Sequence, residues 1–480
     1  MKKNMIKTGL FSTLVLLGGC SGSSSEGISQ QVENQKQRLN FLFIAIDDLR
    51  PELGAYGESR IHSPNIDQLA AGAVRFDRAY CNIAVCGASR ASILTGTRPT
   101  RNTWINYYDA ITEMRPDVKT LGHIFRENGW HTIHNGKVMH HAGDASGSWD
   151  EEWWSETSGS WRDYEDPENI HKDTALSLYP SYEALDVDDN VYRDGKIADK
   201  TIADLKKLKE SGDPFFLAAG FLKPHLPFNA PKKYWELYDS ADIVLPQNTK
   251  MPQNTPEVAM HNWGELRQYE GIPAEGPLTD EMAHKLKHGY YACVSYTDAQ
   301  VGKVLRALEE LDMAENTVVV LWGDHGWNLR EHGLWCKHCN FETALQVPLI
   351  IRAPQLDMVN ATSAITEFVD VYPTLCEMAG IPIPAHAEGK SLVPVITGEA
   401  EEVDGLAICR WKEGYTIIKE HYAYTEWLDS SDNTYASMLF DHAADPDENF
   451  NIAHKPENKE LKETLSRELK ENLGENFDRY

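Results

Sequence analysis

The chain has 480 residues, of which 41% are hydrophobic and 25% charged, so it can form a large core and is longer than one ordinary domain. Its 46 Lys and Arg residues against 73 Asp and Glu residues give a formal net charge of −27. This acidity argues against a nucleic-acid partner, because neutralising phosphates requires clusters of Lys and Arg. It leaves an anionic substrate possible, since a few cations concentrated in one pocket can bind one.

The first 19 residues have the pattern of an export signal. Three lysines precede an apolar run over residues 9–17 that is too short to span a bilayer. The sequence Leu-Gly-Gly-Cys that ends at Cys20 resembles the lipobox of bacterial lipoproteins, whose cysteine is acylated. We therefore expect a signal peptide over residues 1–19, a flexible tether over 20–37, and a periplasmic or cell-surface lipoprotein anchored through Cys20. Secretion without a lipid is the alternative.

Short apolar runs rich in β-branched or aromatic residues predict strands that are buried on both faces. These runs are residues 40–46, 130–134, 214–221, 316–322 and 347–352. Helical patterns lie between them, over residues 118–128, 199–209 and 284–311. The alternation predicts an α/β fold with a large, mostly parallel sheet sandwiched by helices.

Two stretches depart from this alternation. Residues 142–195 are acidic and rich in tryptophan, and we expect an insertion near the functional site. Its tryptophans either stack on sugar rings or pack the insertion against the domain. From about residue 385 the pattern changes to short strand-like runs and a charged helix over residues 456–474. We expect a main domain over residues 38–384 and a smaller α+β subdomain with an antiparallel sheet over 385–480.

Charged or imidazole side chains follow four of the predicted strands. They occur in Asp47-Asp48, Gly136-Lys137, Lys223-Pro224-His225 and Asp324-His325. Because ligands of open α/β sheets bind at the carboxyl ends of strands, these segments are expected to form a binding site. Adjacent carboxylates repel one another, so Asp47 and Asp48 indicate a bound cation, with a solvated acidic turn as the alternative.

Cys86 begins the sequence Cys-Gly-Ala-Ser-Arg, which ends at Arg90 and leads into an apolar stretch. From the residues alone, Cys86 is either a thiolate of lowered pKa at a helix N-terminus or a buried structural thiol. The pentapeptide and its Leu-Thr-Gly continuation resemble the signature of the type I sulfatases, in which this cysteine is oxidised to Cα-formylglycine. Ala88 stands where proline is the commoner residue. The resemblance extends from about residue 38 to the C-terminus and looks closest to the iduronate-2-sulfatase branch.

The resemblance implies an alkaline phosphatase-like fold and a calcium site. Its ligands would be one hydroxyl oxygen of hydrated formylglycine at position 86 and the side chains of Asp47, Asp48, Asp324 and His325. Imidazole is an unusual calcium ligand, so His325 either completes this set or hydrogen-bonds the sulfate. The cation would lower the pKa of the geminal diol and hold the sulfate oxygens of the substrate.

The resemblance also implies roles for five further side chains. Arg90 would stabilise the hydrated aldehyde, while Lys137 and Lys337 would hold sulfate oxygens. His225 would protonate the leaving ester oxygen, and His140 would assist as a base at the formylglycine. One hydroxyl of the hydrated aldehyde would attack sulfur, and the second would allow sulfate to leave by C–O cleavage.

The sequence therefore predicts a sulfuric ester hydrolase that acts on a sulfated polysaccharide or oligosaccharide and is matured by a formylglycine-generating enzyme. One alternative is a phosphonate monoester or phosphodiester hydrolase of the same superfamily. The other is a non-catalytic glycan-binding protein with unmodified Cys86. A lone Cys-x-x-Cys is weak evidence for zinc, so Cys336 and Cys339 are expected to form a local disulfide or to be two separate structural cysteines.

Overall fold

A computed structural model of the protein describes residues 38–154, 160–175 and 179–474. The export signal and tether predicted for residues 1–37, with the lipid site at Cys20, lie outside the described residues. Within the described ranges, no helix combines the length and the apolar character needed to cross a membrane.

The fold alternates strands and helices along most of the chain. The strands are β1 (Asn40–Ile46), β2 (Val74–Tyr80), β3 (His131–Gly136), β4 (Glu151–Trp153), β5 (Tyr182–Glu183), β6 (Phe215–Phe221), β7 (Phe228–Asn229), β8 (Thr317–Gly323), β9 (Asn328–Leu329), β10 (Trp335–Cys336), β11 (Gln346–Arg352), β12 (Ala361–Glu367), β13 (Leu406–Trp411), β14 (Gly414–Lys419), β15 (Tyr422–Leu428) and β16 (Thr434–Asp441). The α-helices are α1 (Pro64–Ala71), α2 (Cys86–Thr95), α3 (Ile111–Met114), α4 (Leu121–Glu127), α5 (Pro167–Thr174), α6 (Arg193–Ser211), α7 (Lys232–Trp235), α8 (Asp280–Glu310), α9 (Glu342–Leu345), α10 (Val371–Ala379), α11 (Val393–Ile396) and α12 (Lys459–Leu473).

The main sheet has the strand order β12-β2-β11-β8-β1-β6-β3-β4 in the described part of the chain. Strand β11 runs antiparallel to both of its neighbours, and the other adjacent pairs are parallel. The central strands β1, β6 and β8 are buried along nearly their whole length, as expected for a parallel sheet covered on both faces. The prediction of a mostly parallel α/β sheet is therefore confirmed.

The stretch over residues 142–195 is partly integrated into this sheet. Its strand β4 pairs in parallel with β3 and extends the edge of the sheet. Its strand β5 pairs with β7, which lies beyond β6. The ring of Trp149 is buried against Phe216 of β6, whereas Trp161 is 44% exposed. Trp149 therefore packs the stretch against the core, and Trp161 is left accessible to a ligand.

The C-terminal part of the chain forms a second, antiparallel sheet in the order β13-β14-β15-β16. One face packs on the main core through residues such as Trp427 and Phe440. The other face forms a small core of its own, in which Ile417 and Leu439 are covered by Leu465 and Leu469 of α12. The predicted smaller α+β unit with an antiparallel sheet is thus present.

Cys336 and Cys339 are two separate buried thiols, so the alternative of a local disulfide is wrong. Cys336 ends β10, which pairs with β9. The Asn328 side chain on β9 donates hydrogen bonds to the Cys336 carbonyl, at 2.8 Å, and to the Cys339 sulfur, at 3.5 Å. The two residues therefore shape the loop that carries Lys337.

Candidate active site

The site lies at the carboxyl edge of the main sheet. Because β1, β3, β6 and β8 run in the same direction, the residues that follow them meet at one edge. Asp47 and Asp48 follow β1, Lys137 follows β3, and Asp324 follows β8. Each of these four side chains is buried. The sheet direction thus brings together residues that are far apart in sequence, as the strand-end pattern predicts.

Helix α2 supplies Cys86 and Arg90 from the same edge. Cys86 is its first residue, and Arg90 follows one turn later, on the same side. Every residue of α2 is buried, which agrees with its small and apolar side chains. The Ser89 hydroxyl donates a hydrogen bond to the Asp324 carbonyl and fixes the helix to the end of β8.

The Arg90 guanidinium connects three of these strand ends. Its Nε donates to Asp324 Oδ2 at 2.9 Å, and its Nη2 donates to Asp47 Oδ1 at 3.1 Å. Its Nη1 donates to the carbonyl oxygens of Lys137 and Val138. A planar fork of donors suits such a junction, because each nitrogen has a different acceptor in the same plane.

Two lysines compensate the paired aspartates. Lys137 Nζ forms an ion pair with Asp47 Oδ2, and Lys337 Nζ lies 3.2 Å from Asp48 Oδ1. Lys337 Nζ also donates to Glu265 Oε1 at 2.9 Å. A solvated acidic turn at Asp47 and Asp48 is therefore wrong, because both carboxylates are fully buried among cations.

His225 lies between Asp48 and Glu265. Its Nδ1 is 2.6 Å from the Leu226 carbonyl, which can only accept, so the proton on Nδ1 is fixed there. Its Nε2 is 3.2 Å from Glu265 Oε1 and 3.8 Å from Asp48 Oδ2. Burial opposes the charged ring, but Asp48 and the neighbouring Asp47 outweigh it and raise the pKa of His225 to about 10.

His325 has the same arrangement on the opposite side of the site. Its Nδ1 is 2.9 Å from the Gly326 carbonyl, so in the neutral ring Nε2 carries the lone pair. This Nε2 is 3.2 Å from Cys86 Sγ, 3.4 Å from Asp48 Oδ1 and 3.6 Å from Asp324 Oδ1. The ring therefore presents a ligand atom to the carboxylates.

The donor set fits a hard divalent cation. Ligand atoms of Asp47, Cys86, Asp324 and His325 lie within 4.8 Å of one another, and all four residues are buried. Asp48 joins an overlapping group through Cys86. Clustered buried carboxylates are the ligands that Ca²⁺ prefers, and the Cys86 sulfur stands in for a hydroxyl oxygen of the oxidised residue. Burial and the charge of Asp47 raise the pKa of Asp48, as expected for adjacent buried carboxylates.

Cys86 is not an activated thiolate in this environment. Burial and the charge of Asp47 raise the pKa of its thiol to about 11. Desolvation and the nearby carboxylates act against a thiolate of lowered pKa at this helix N-terminus. The environment therefore favours the other interpretation from the residues, a buried thiol, or its oxidised form.

A cavity of about 730 Å³ opens onto Cys86, Lys137, His140, His225 and Lys337. Every predicted catalytic side chain except the enclosed Arg90 thus lines one space. The half-buried His140 packs against Tyr107, with ring centroids 5.6 Å apart. Burial and the nearby Lys137 lower the pKa of His140 to about 2, and its Nδ1 has no hydrogen-bond partner in the described structure.

Lys223 has a structural part in this site. Its buried ammonium donates to the carbonyls of His225, at 3.1 Å, and Pro227, at 2.6 Å. Its backbone N–H is bound by Asp194 at the start of α6. Lys223 therefore holds the loop that carries His225 and does not line the cavity.

Several cavity residues were not identified from the sequence. They are Glu265, Tyr107, Arg162, Arg193 and His338. Glu265 lies between α7 and α8 and follows no strand, so no pattern singles it out. Trp161 lines the same cavity and belongs to the tryptophan-rich stretch over residues 142–195, whose rings the sequence offers either for sugar stacking or for packing.

The fold and this site define a sulfuric ester hydrolase, and the chain belongs to the sulfatase family: residues 39–381 match the family model described as Sulfatase. Residues 330–475 match the model described as N-sulphoglucosamine sulphohydrolase, C-terminal. The family implies a formylglycine residue and a divalent cation. The prediction of a type I sulfatase is confirmed.

Within this family the chain is similar to iduronate 2-sulfatases. It is 32% identical to the iduronate 2-sulfatase of Homo sapiens over 492 residues, which cover 86% of this chain and 89% of that protein. The predicted likeness to this branch is therefore confirmed as well.

Solved structures agree on the fold. One is in complex with its substrate D-glucosamine-2-N,6-O-disulfate, at 22% identity and a TM-score of 0.72 over 92% of this chain and 100% of that one. Another is a phosphonate monoester hydrolase from Silicibacter pomeroyi, at 23% identity and a TM-score of 0.74 over 92% and 96%. Both confirm the predicted fold, and neither decides the substrate at such identities.

Proposed function

We propose that the protein hydrolyses sulfate esters of a sulfated carbohydrate, with Cys86 oxidised to formylglycine and Ca²⁺ bound by Asp47, Asp48, Asp324 and His325. The observation that carries this proposal is the buried group of ligand atoms of Asp47, Cys86, Asp324 and His325, all within 4.8 Å of one another, which Asp48 adjoins through Cys86. An unactivated thiol at the centre of an oxygen-rich cation site has no evident use as a thiol, whereas its oxidised form completes that site.

Hydrated formylglycine at position 86 would supply a hydroxyl nucleophile, and a cation held by Asp47, Asp48, Asp324 and His325 would supply Lewis-acid polarisation of the sulfate. Lys137 and Lys337 line the cavity at the same edge of the sheet and can bind the sulfate oxygens. Arg90 is enclosed below them and keeps Asp47 and Asp324 in place. These cations offset the negative charge that the sulfate brings.

His225 is the proposed proton donor and His140 the proposed proton acceptor. The Nδ1 proton of His225 is held by Leu226, so its Nε2 carries the proton that is donated to the leaving ester oxygen. His140 is neutral, its Nδ1 is unpartnered, and it lines the cavity beside Lys137, so it can accept a proton. A bound sulfate would favour the protonated ring, because a nearby negative charge raises the pKa of an imidazole.

Aromatic side chains support a carbohydrate as the remainder of the substrate. Trp161 and Tyr107 line the cavity and are 44% and 41% exposed, and the neighbouring Tyr108 is 68% exposed. Exposed rings beside polar groups are the usual surface for stacking on sugar rings. The similarity to an iduronate 2-sulfatase and to a structure whose substrate is D-glucosamine-2-N,6-O-disulfate supports the same substrate class.

The proposal includes export and maturation. The signal pattern of residues 1–19 supports export to the periplasm or the cell surface, and Cys20 supports a lipid anchor after cleavage. A formylglycine-generating enzyme would oxidise Cys86 before folding buries it. Fractionation of cells that express the wild type or Cys20→Ser tests the anchor, since only the wild type should stay with the membranes.

The decisive experiment is sulfate release from a panel of sulfated mono-, di- and polysaccharides. The wild type, Cys86→Ala and a calcium-chelated sample would be compared, and the mass of the peptide with residue 86 would be measured. We expect Cys86→Ala to lower kcat at least about 10³-fold. Release that persists in this variant contradicts the mechanism. Release of phosphonate instead of sulfate by an oxidised enzyme would favour the phosphonate monoester hydrolase alternative.

A further inference from the structure

Among the residues that the structure describes, one cation of the active-site cavity has no anionic side-chain partner. Four Lys and Arg side chains line this cavity: Lys137, Arg162, Arg193 and Lys337. Lys137 pairs with Asp47, Lys337 with Asp48 and Glu265, and Arg162 with Asp173 at 3.2 Å. Within the described ranges Arg193 has no ion pair, and its buried Nε has no hydrogen-bond partner. A half-buried guanidinium that lines a cavity is normally paired with an anion.

The position of Arg193 is fixed relative to the catalytic loop. It is the first residue of α6, and its backbone N–H donates to Asp163 Oδ2 at 2.7 Å. The next residue, Asp194, accepts hydrogen bonds from the backbone N–H groups of Leu222 and Lys223, both at 2.8 Å. These two residues immediately precede the segment of His225. The first turn of α6, which carries Arg193, is therefore joined through Asp194 to the loop of the proposed acid.

We propose that Arg193 binds a second anionic group of the substrate, either a carboxylate or a second sulfate on the sugar. This inference rests on the proposed function, because it needs the scissile sulfate at Cys86. A guanidinium matches the paired oxygens of either group and is more weakly hydrated than an ammonium, so it suits a half-buried wall. Trp161 and Tyr269 line the same cavity of about 730 Å³ as Arg193 and Cys86, so aromatic rings are available to the sugar that would carry both anions.

The test compares three series of substrates with the wild type, Arg193→Gln and Arg193→Lys. One series carries a single sulfate on a neutral sugar, the second a sulfate on a uronate, and the third two sulfates on one sugar. Arg467→Gln on α12 is the matched control, since it removes the same charge from an exposed position outside the cavity. The readout is kcat and KM for sulfate release.

We expect Arg193→Gln to lower kcat/KM by about 10- to 100-fold for substrates with a second anion, which is the loss of one charge-assisted interaction. The loss should lie mainly in KM, Arg193→Lys should recover part of it, and the singly sulfated neutral series should change less than about threefold. A loss confined to uronates identifies a carboxylate, and a loss confined to disulfated sugars identifies a sulfate.

An equal loss in all three series, or no loss in either doubly anionic series, overturns the inference. Failure of the proposed function is distinguishable, because then the wild type releases no sulfate from any series or from a simple aryl sulfate. An additional measurement keeps the outcome clear if Arg193→Gln folds poorly. The thermal midpoint of each variant is compared with that of Arg467→Gln, and the Arg193→Lys series decides the question where the midpoints differ.

Discussion

At the scale of single residues, Arg90 shows how one side chain can organise a site without lining it. Its guanidinium has acceptors on Asp47, Asp324 and the backbone after β3. Lysine has the same charge but cannot reach all of them, because its donors lie on one nitrogen. We expect Arg90→Lys to lower the free energy of unfolding by about 1.5 to 3 kcal/mol, through at least one lost hydrogen bond between charged groups.

Denaturant unfolding measures this effect, with Arg330→Lys as the control. Arg330 pairs with an Asp280 side chain that is 77% exposed, so its replacement should change stability by less than about 1 kcal/mol. Equal stability of Arg90→Lys and the wild type would show that a lysine can replace the hydrogen bonds of Arg90, which contradicts this prediction.

Glu265 is the second residue whose effect can be predicted. It faces both Lys337, at 2.9 Å, and His225, at 3.2 Å. Glu265→Gln keeps the shape but removes the charge that holds both cations in place. We expect kcat/KM to fall by about 10- to 100-fold, with most of the change in kcat. Glu257→Gln, exposed in the same irregular segment, is the control, and matching kinetics of the two variants would contradict this role.

The sequence alone identifies site residues that belong to a recognisable motif, but it does not identify Glu265. Asp47, Cys86 and Asp324 stand at strand or helix ends with recognisable neighbours, and the structure brings them together. Glu265 directly precedes a short 3₁₀ helix, Leu266–Gln268, and reaches the cavity only through the tertiary path of the long connection between α7 and α8. Similarly, Arg193 looks like an ordinary surface residue at the start of a helix until the cavity is visible.

At the scale of elements, the contact between β6 and β3 is tight at two glycines. Gly220 lies opposite Gly136, and a Cβ at Gly220 would overlap the backbone of Lys137. Gly220→Ala must therefore displace a residue that contacts Asp47 and whose carbonyl accepts from Arg90. We expect Gly220→Ala to lower the free energy of unfolding by more than about 3 kcal/mol. If the chain folds with Lys137 displaced, we expect the rate of sulfate release to fall instead.

Gly72 provides the matched comparison for this substitution. It has a φ of −114° after α1, and the nearest atom to an added Cβ would be 3.9 Å away. Gly72→Ala should therefore change stability by less than about 1 kcal/mol, since it also restricts the unfolded chain. Chemical denaturation of both variants measures the contrast, and similar midpoints would mean that the two strands can separate without cost.

The same elements show how far strands can be predicted. The run predicted over residues 40–46 coincides with β1, and those for β6 and β8 begin one residue early, because fully buried strands leave continuous apolar runs. Strands β2 and β12 were not predicted. Strand β2 reads Val-Arg-Phe-Asp-Arg and β12 contains mostly small and polar residues, since both lie near a sheet edge. Their place in the sheet follows from pairing that no local pattern encodes.

At the scale of the whole molecule, the proposed cation should couple to folding. The cluster of Asp47, Asp48 and Asp324 is fully buried, so Ca²⁺ would bind the folded chain far better than the unfolded one. A free Ca²⁺ concentration of 100 times its Kd would then raise the free energy of unfolding by about 2.7 kcal/mol. We expect the thermal midpoint of the wild type to rise with Ca²⁺ and to fall with a chelator.

Asp324→Asn should lose most of this response, and Asp199→Asn, exposed on α6, should keep it. Titration with Mg²⁺ beside Ca²⁺ compares the two cations, since Mg²⁺ demands a stricter geometry and releases water reluctantly. A thermal midpoint of the wild type that changes with neither cation would contradict the proposed metal site.

The pH dependence of global stability should be governed partly by His442, which joins the C-terminal sheet to the main domain. His442 follows β16, and its Nε2 is 3.0 Å from Glu448 Oε1. Glu448 also accepts the backbone N–H of Glu342 at the start of α9, and Glu342 Oε2 lies 3.9 Å from His442 Nδ1. Burial and Arg78 oppose the charged ring, but the hydrogen bond to Glu448 and the charge of Glu342 raise the pKa of His442 to about 9.

Because the folded pKa of His442 lies above the ordinary value of 6.5, the folded chain holds this proton more tightly than the unfolded chain. The contribution is complete below pH 6.5 and is lost as the pH rises from 6.5 to about 9. Its size is on the order of 3 kcal/mol, since one pKa unit corresponds to about 1.4 kcal/mol.

Urea unfolding at pH 6, 7, 8 and 9 with saturating Ca²⁺ should show this decline in the wild type and in His454→Gln, an exposed control. His442→Gln should be less stable than the wild type at pH 6, and its free energy of unfolding should change less between pH 6 and pH 9. If this free energy falls with pH as steeply in His442→Gln as in the wild type, the ion pair does not stabilise the interface.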